Sequence, residues 1–155
     1  MKRYWWIPLL AAALGTALHF FYDWFPNPLV GVIAPVGESV WEHLKLLYWP
    51  WLAACLLSRS RQPNFWAGAC AALLAMPPFL LGIYYTLGCG FSLSGLALDI
   101  ALYYLTIAFG YLILCLGLRH PGAGRLAGVM CMLAGLWGAS LLILSMAPLD
   151  RPIFR

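Results

Sequence analysis

Charged residues are so widely spaced in this chain of 155 residues that several long intervals contain none. No Asp, Glu, Lys or Arg lies in the intervals 4–22, 62–98, 100–118 and 126–149. A helix needs about 20 apolar residues to cross a hydrocarbon core of about 30 Å, and each interval can supply one. The spacing of the charges therefore predicts four apolar membrane-spanning helices.

The composition agrees with a chain whose solvent is lipid. Apolar residues make up 64% of it and charged residues 9%, whereas soluble domains average about 45–50% and about 25%. This excludes a water-soluble enzyme, a disordered chain and a nucleic-acid-binding module, because each of these needs a more polar or more basic sequence. We expect one membrane domain over residues 1–155, with the lipid bilayer as its surroundings and no nucleic-acid partner.

A fifth helix is predicted over 38–57, although its first turns are polar. Only 13 residues separate Lys45 from Arg59, and at 1.5 Å each they reach about 20 Å, too little to cross the hydrocarbon core. If this helix crosses, its ionisable residues must enter the membrane. Topology favours crossing, because five helices with the amino terminus inside bring six basic residues to the cytoplasm, as the positive-inside rule requires: Lys2, Arg3, Arg59, Arg61, Arg119 and Arg125.

The sequence thus predicts an all-α polytopic bundle of five transmembrane helices in the plasma membrane, with its amino terminus inside and its carboxyl terminus outside. The predicted helices are 4–24, 38–57, 64–87, 95–117 and 126–147. The segment 25–37 contains three prolines and cannot be one continuous helix, so it lies in the interface or re-enters the membrane. Glycines at 128, 135 and 138 predict a closely packed face on the last helix.

This topology gathers ionisable residues from three helices in the outer half of the bilayer. Each charge near the middle of a membrane helix costs about 2.5–3.5 kcal/mol, so such residues normally face the bundle interior and mark function. For Asp23, Glu38 and Asp99, which lie close to helix ends, a position among the lipid headgroups is the simpler alternative. The residues concerned are His19, Asp23, Glu38, Glu42, His43, Lys45 and Asp99.

Spacing along the helices suggests roles for these residues. Glu42 and Lys45 are i,i+3 neighbours and predict a structural ion pair, which leaves Glu38 as the freer carboxylate on that face. His19 and Asp23, at i,i+4, can ligate one metal, or the aspartate can orient the imidazole. Two histidines with carboxylates suit zinc, iron or manganese, although histidines that only donate hydrogen bonds inside the bundle are an equal alternative. The predicted metal ligands are His19, Asp23, His43 and Asp99, and the predicted catalytic carboxylates are Glu38 and Glu42.

Two segments of the sequence also match a recognisable pattern. Residues 18–24 read L-H-F-F-Y-D-W, residues 35–46 read P-V-G-E-S-V-W-E-H-L-K-L, and a D-I pair follows at 99–100. The chain resembles a family of small bacterial and archaeal integral-membrane proteins of unknown function, which share L-H-F-x-Y-E-W and P-V-N-E-S-x-W-E-H-x-K-L motifs. It departs from them at Asp23, where Glu is usual, and at Gly37, where Asn is usual. The resemblance implies a membrane protein and carries no activity with it.

Three functions are compatible with this sequence. The first is a site in the outer half of the bundle that binds a metal cation or a polar lipid headgroup. One form of it is a metal-dependent lipid-modifying enzyme, with a carboxylate as general base. The second is a small proton- or ion-coupled transporter, although the inner half offers few polar groups to conduct through. The third is a non-catalytic partner or assembly subunit, in which the polar layer docks another membrane protein.

Overall fold

A computed structural model describes residues 3–37 and 39–146, and all the regular structure in these residues is helical. The helices are α1 (Trp6–Trp24), α2 (Pro28–Ile33), α3 (Val40–Leu57), α4 (Pro63–Tyr85), α5 (Leu96–Arg119) and α6 (Ala127–Met146). A π-helical turn, Thr86–Gly90, extends α4, and a 3-10 turn, Ala123–Leu126, precedes α6. The five long helices lie within two residues of their predicted bounds, because the charge-free intervals and the proline-rich segment set those bounds.

Three of these helices are long and apolar enough to cross a membrane within the described residues, not the five that were predicted. They are Pro63–Gly90, Leu96–Arg119 and Ala123–Met146. The other two long helices carry ionisable residues, with His19 and Asp23 in α1 and a cluster at 42–45 in α3. These side chains, together with several Trp and Tyr residues, lower the mean hydropathy of α1 and α3.

Segment 25–37 contains a short helix between two turns rather than a continuous one. Asn27 caps α2 by accepting a hydrogen bond from the Val30 amide at 3.0 Å, and Pro28 occupies the first helical position, where a missing N–H costs nothing. The helix ends after six residues, and Leu29 is 83% exposed. The segment therefore presents apolar side chains at the edge of the bundle.

α1 runs antiparallel to α3 over its whole length. At one end the Tyr4 hydroxyl lies 3.0 Å from the Ser60 hydroxyl, and at the other the rings of His19 and His43 are adjacent. Between them, a Cβ on Gly15 would lie 2.8 Å from the carbonyl oxygen of Leu46 and would collide with the Tyr103 hydroxyl of α5. Gly15 therefore allows α1, α3 and α5 to pack closely against one another at this level.

The tightest crossing lies between α4 and α5, where two glycines meet. A Cβ on Gly68 would lie 2.9 Å from the Leu114 carbonyl oxygen, and one on Gly117 would lie 2.9 Å from the Gly68 amide nitrogen. Neither neighbour can move aside easily, because both are backbone atoms. This crossing and the buried side chains around it form the centre of the bundle, which includes Trp51, Phe65, Met76, Leu114 and Leu141.

The prediction of a packed glycine face on α6 is only partly correct. A Cβ on Gly138 would collide with the ring of Tyr48, whose hydroxyl donates to the Ala134 carbonyl oxygen at 2.9 Å. Gly128 and Gly135, in contrast, have no atom within 4 Å of such a Cβ among the described residues. The reason is that α6 lies at the periphery and turns only one narrow face toward α3 and α4.

Basic side chains gather at one end of the bundle. The Asn64 side chain connects the start of α4 to the α5–α6 loop, donating to the His120 carbonyl oxygen at 2.9 Å and accepting from the Gly124 amide at 2.8 Å. The Tyr4–Ser60 contact adds the start of α1 and the α3–α4 loop to the same end. We call this the basic end, defined by residues 3–4, 58–64 and 119–125; its charged residues are Arg3, Arg59, Arg61, Arg119 and Arg125.

Candidate functional site

The opposite end of the bundle is organised by the first turn of α3. Ser39 is the N-cap residue, and its hydroxyl accepts a hydrogen bond from the Glu42 amide at 3.3 Å. The sequence S-V-W-E at 39–42 is an S-x-x-E capping signal, which marks the start of a helix. In a full capping box the glutamate would bond back to the N-cap amide, but here the Glu42 carboxylate accepts from the Val36 amide at 2.9 Å. The segment before α3 is thereby tied to its first turn.

Glu42 also forms the ion pair expected from its spacing with Lys45. The Lys45 Nζ lies 2.8 Å from Glu42 Oε2, with the lysine side chain fully buried and the glutamate side chain 12% exposed. The same ammonium donates to the carbonyl oxygens of Gly31 at 2.7 Å and Ala34 at 3.4 Å. These carbonyls lie at the end of α2, where helical acceptors lack partners within the helix.

The pair therefore connects α3 to α2 and to the turn that follows it. Oε2 of Glu42 receives hydrogen bonds from both Val36 and Lys45. The contacts of this carboxylate thus hold α3 against α2 and the segment that precedes α3. We interpret Glu42, one of the two predicted catalytic carboxylates, as a structural residue; the other, Glu38, lies outside the described residues.

Two of the predicted metal ligands come together beside this ion pair. The rings of His19 in α1 and His43 in α3 have centroids 5.3 Å apart, at an interplanar angle of 42°. His43 Nδ1 lies 2.9 Å from the Ser39 carbonyl oxygen. Since a carbonyl only accepts, Nδ1 carries the hydrogen in this bond and, in the neutral ring, the lone pair is on Nε2. Within the described residues, the buried Nδ1 of His19 has no hydrogen-bond partner.

The predicted aspartates are less closely involved. Asp23 lies one turn beyond His19 at the end of α1, and its side chain is exposed. Asp99 is also exposed, in the first turn of α5, where a negative charge favours the helix by offsetting its dipole. Over residues 3–37 and 39–146, no three His, Cys, Asp or Glu side chains are grouped so as to hold a metal ion. Of the four predicted metal ligands, only His19 and His43 lie side by side in the described residues.

α6 contributes polar atoms to this end that no sequence motif indicated. Trp137 packs edge-on against Trp41 at a centroid distance of 5.6 Å. In the described part of the chain, the buried indole nitrogen of Trp137 and the buried hydroxyl oxygen of Ser145 have no hydrogen-bond partner. In the sequence of an apolar helix, Trp137 and Ser145 look like any other lipid-facing or core residues. The sequence alone therefore does not indicate that they lie near the histidine pair's end of the bundle.

Comparison with known proteins supplies a family for the chain. A family model described as a family of unknown function, DUF6512, matches residues 2–146. This chain belongs to the DUF6512 family. The match spans both motif segments, α1 to α6 and both histidines, and it confirms the predicted membership of an uncharacterised family. No curated protein and no solved structure matches this DUF6512 chain.

Proposed function

We propose that this DUF6512 protein is a membrane protein that binds a divalent transition metal between His19 and His43. The observation that carries the proposal is the pairing of these two imidazoles, 5.3 Å apart, from helices that are distant in the chain. Metal-bound histidines commonly donate their second ring N–H to a carbonyl or a carboxylate, which fixes the tautomer and the ring orientation. The bond from His43 Nδ1 to the Ser39 carbonyl is of this kind.

His19 supports the same proposal through its unsatisfied nitrogen. A buried polar atom without a hydrogen bond costs about 1–3 kcal/mol, and Nδ1 of His19 is such an atom among the described residues. A bound cation between the rings would offset this cost. Zinc, iron and manganese accept imidazole together with carboxylate or water ligands, so water would complete the coordination.

The reaction class follows from what such a metal does to water. A bound divalent metal lowers the pKa of a coordinated water to about 7 and polarises phosphoryl or carbonyl oxygens. At a membrane surface these groups belong to lipid headgroups, so we propose that hydrolysis or transfer at a headgroup is the activity. Glu38 is the proposed general base, since Glu42 is held by Lys45.

The same proposal includes a membrane orientation. α1 and α3 pack against the three apolar helices and share a basic end with them, so we propose that both helices are embedded in the same bilayer. Basic residues favour the cytoplasm, and the histidine pair lies at the opposite end of α1 and α3. The metal would therefore be held on the extracytoplasmic side of the plasma membrane.

Metal analysis of the purified protein tests the proposal. The unmodified chain loaded with Zn²⁺ should retain about one metal per chain after dialysis, and His19→Ala and His43→Ala should each reduce retention by about 10-fold or more. His120→Ala is the matched control, because this third histidine lies in the α5–α6 loop at the basic end. Equal retention by all four proteins, or no retention by the unmodified chain, would contradict the metal site.

The same variants separate this function from the alternatives. A transporter should show ion flux in proteoliposomes that depends on the two histidines without requiring bound metal. A purely structural histidine pair should give variants with a lower melting temperature and no change that depends on added metal. The proposed site instead predicts that Zn²⁺ raises the melting temperature of the unmodified chain and of His120→Ala but not of His19→Ala.

A further inference from the structure

Two cysteines meet in the bundle away from the histidine pair. Cys70 in α4 and Cys131 in α6 have sulfur atoms 2.9 Å apart. Each lies in the first half of its helix, near the basic end. A disulfide bond is about 2.05 Å long, so the two sulfurs need to approach by only about 0.9 Å to form one.

The surroundings determine which oxidant could reach them. Both cysteines lie in helices that are long and apolar enough to cross a membrane. Cys70 is buried among core residues, and Cys131 is partly buried against the same cluster. Water-soluble oxidants have poor access to such a position, whereas an oxidant that partitions into the bilayer reaches it from the lipid side.

We propose that Cys70 and Cys131 are a redox-active pair that forms a reversible disulfide between α4 and α6, with a lipid-soluble quinone as the oxidant. Both S–H bonds break and one S–S bond forms. Two electrons and two protons pass to the quinone, which becomes a hydroquinone. A dithiol reductant that is itself oxidised to a disulfide restores both thiols by exchange.

The other cysteines provide matched controls within the same chain. Cys89 is exposed after the end of α4, and Cys115 is half-buried in α5. Cys55 is buried in α3. These three let a specific pairing of Cys70 with Cys131 be distinguished from general thiol oxidation.

Peptide mapping tests the pairing, because trypsin sites lie between the two cysteines. The full chain in lipid nanodiscs is treated with a lipid-soluble quinone without oxygen, its remaining thiols are alkylated, and it is digested at Arg119 and Arg125. Oxidised protein should give one linked species of residues 62–119 and 126–155, because the Arg151–Pro152 bond resists trypsin, and this species should be lighter by two hydrogen atoms than the separate peptides. Cys70→Ala and Cys131→Ala should abolish this species, while Cys89→Ala and Cys115→Ala should retain it.

Fragmentation of the linked peptide in the unmodified protein identifies the bonded cysteines without relying on a variant that folds poorly. Alkylation of both Cys70 and Cys131 after quinone treatment would overturn the proposal, as would a link from Cys89 or Cys115. Formation of the link with aqueous hydrogen peroxide but not with quinone would overturn the assigned oxidant. A melting temperature several degrees higher after oxidation, absent in Cys131→Ala, would support an inter-helix disulfide.

Discussion

Lys45 is the residue whose environment is least expected for its type. Its side chain is fully buried, and a lone ammonium in that position would be strongly unfavourable. Glu42 supplies the opposite charge, and two carbonyls at the end of α2 supply further acceptors. The Lys45 side chain thus pairs with the charge of Glu42, donates to the carbonyls at the end of α2 and joins α2 to α3.

The neutral isostere of Glu42 should reveal this role. Glu42→Gln leaves the Lys45 cation without a counter-charge, and breaking a buried pair from one side costs about 3–5 kcal/mol. We expect a corresponding fall in the free energy of unfolding, measured by denaturant titration in detergent. Asp23→Asn is the control, since its carboxylate is exposed and should change stability by less than about 0.5 kcal/mol.

The double variant Glu42→Gln, Lys45→Met separates the charge from the packing. It removes the uncompensated cation, so it should be more stable than Glu42→Gln alone. It still loses the hydrogen bonds to Gly31 and Ala34, so it should not regain the full stability of the unmodified chain. A double variant less stable than the single one would contradict the role of the ion pair in neutralising Lys45.

At the scale of the helices, glycines decide how closely α4 and α5 approach. Gly68 and Gly117 face each other's backbones at the crossing, so neither position has room for a methyl group. Gly135 in α6 occupies open space among the described residues. In the sequence all three are glycines in apolar helices. Only the geometry of the α4–α5 crossing shows that Gly68 and Gly117 are closely packed and Gly135 is not.

Alanine substitutions test this distinction. Gly68→Ala should destabilise the protein by about 1–3 kcal/mol, because the added Cβ meets backbone atoms of α5 and forces the helices apart. Gly135→Ala should be neutral or stabilising by up to about 1 kcal/mol, since alanine is the better helix former. Thermal unfolding of the two purified variants provides the measurement, and equal effects would show that the crossing is not as close as described.

At the scale of the whole molecule, charge is divided between the two ends. Five arginines lie at the basic end, whereas Asp23, Glu42 and Asp99 lie toward the other. By the positive-inside rule, such a division orients a membrane protein with the basic end in the cytoplasm. In the proposed orientation, the histidine pair and α2 would face the extracytoplasmic side.

Thiol labelling of intact cells measures this orientation. A membrane-impermeant maleimide should label the exposed Cys89, which follows α4 at the end opposite to Gln62. In a Cys89→Ala background, the variant Gln62→Cys should react only after the membrane is permeabilised, because this exposed position lies at the basic end. Labelling of Gln62→Cys but not Cys89 in intact cells would reverse the proposed topology.

Much of the helical framework was predictable from the sequence. Charge-free intervals and the prolines of segment 25–37 set the bounds of the five long helices, because hydrophobic length and missing N–H groups act locally. The i,i+3 spacing also predicted the Glu42–Lys45 pair, since both partners lie on one helix face. The number of candidate spans was overestimated by two, because α1 and α3 each contain ionisable residues that lower their mean hydropathy. For α3 the prediction relied on topology rather than on the helix's own composition.

The sequence by itself determined where helices form, how charge is divided along the chain and that a histidine occurs in each of the motif segments. Only the tertiary structure decided that His19 and His43 lie ring to ring, that Lys45 holds the carbonyls of α2, and that Cys70 meets Cys131. The physical reason is that periodicity places a side chain on a face of its own helix. Which faces meet, and at what level, depends on close packing between helices far apart in the chain, such as the approach that Gly15 and Gly68 permit.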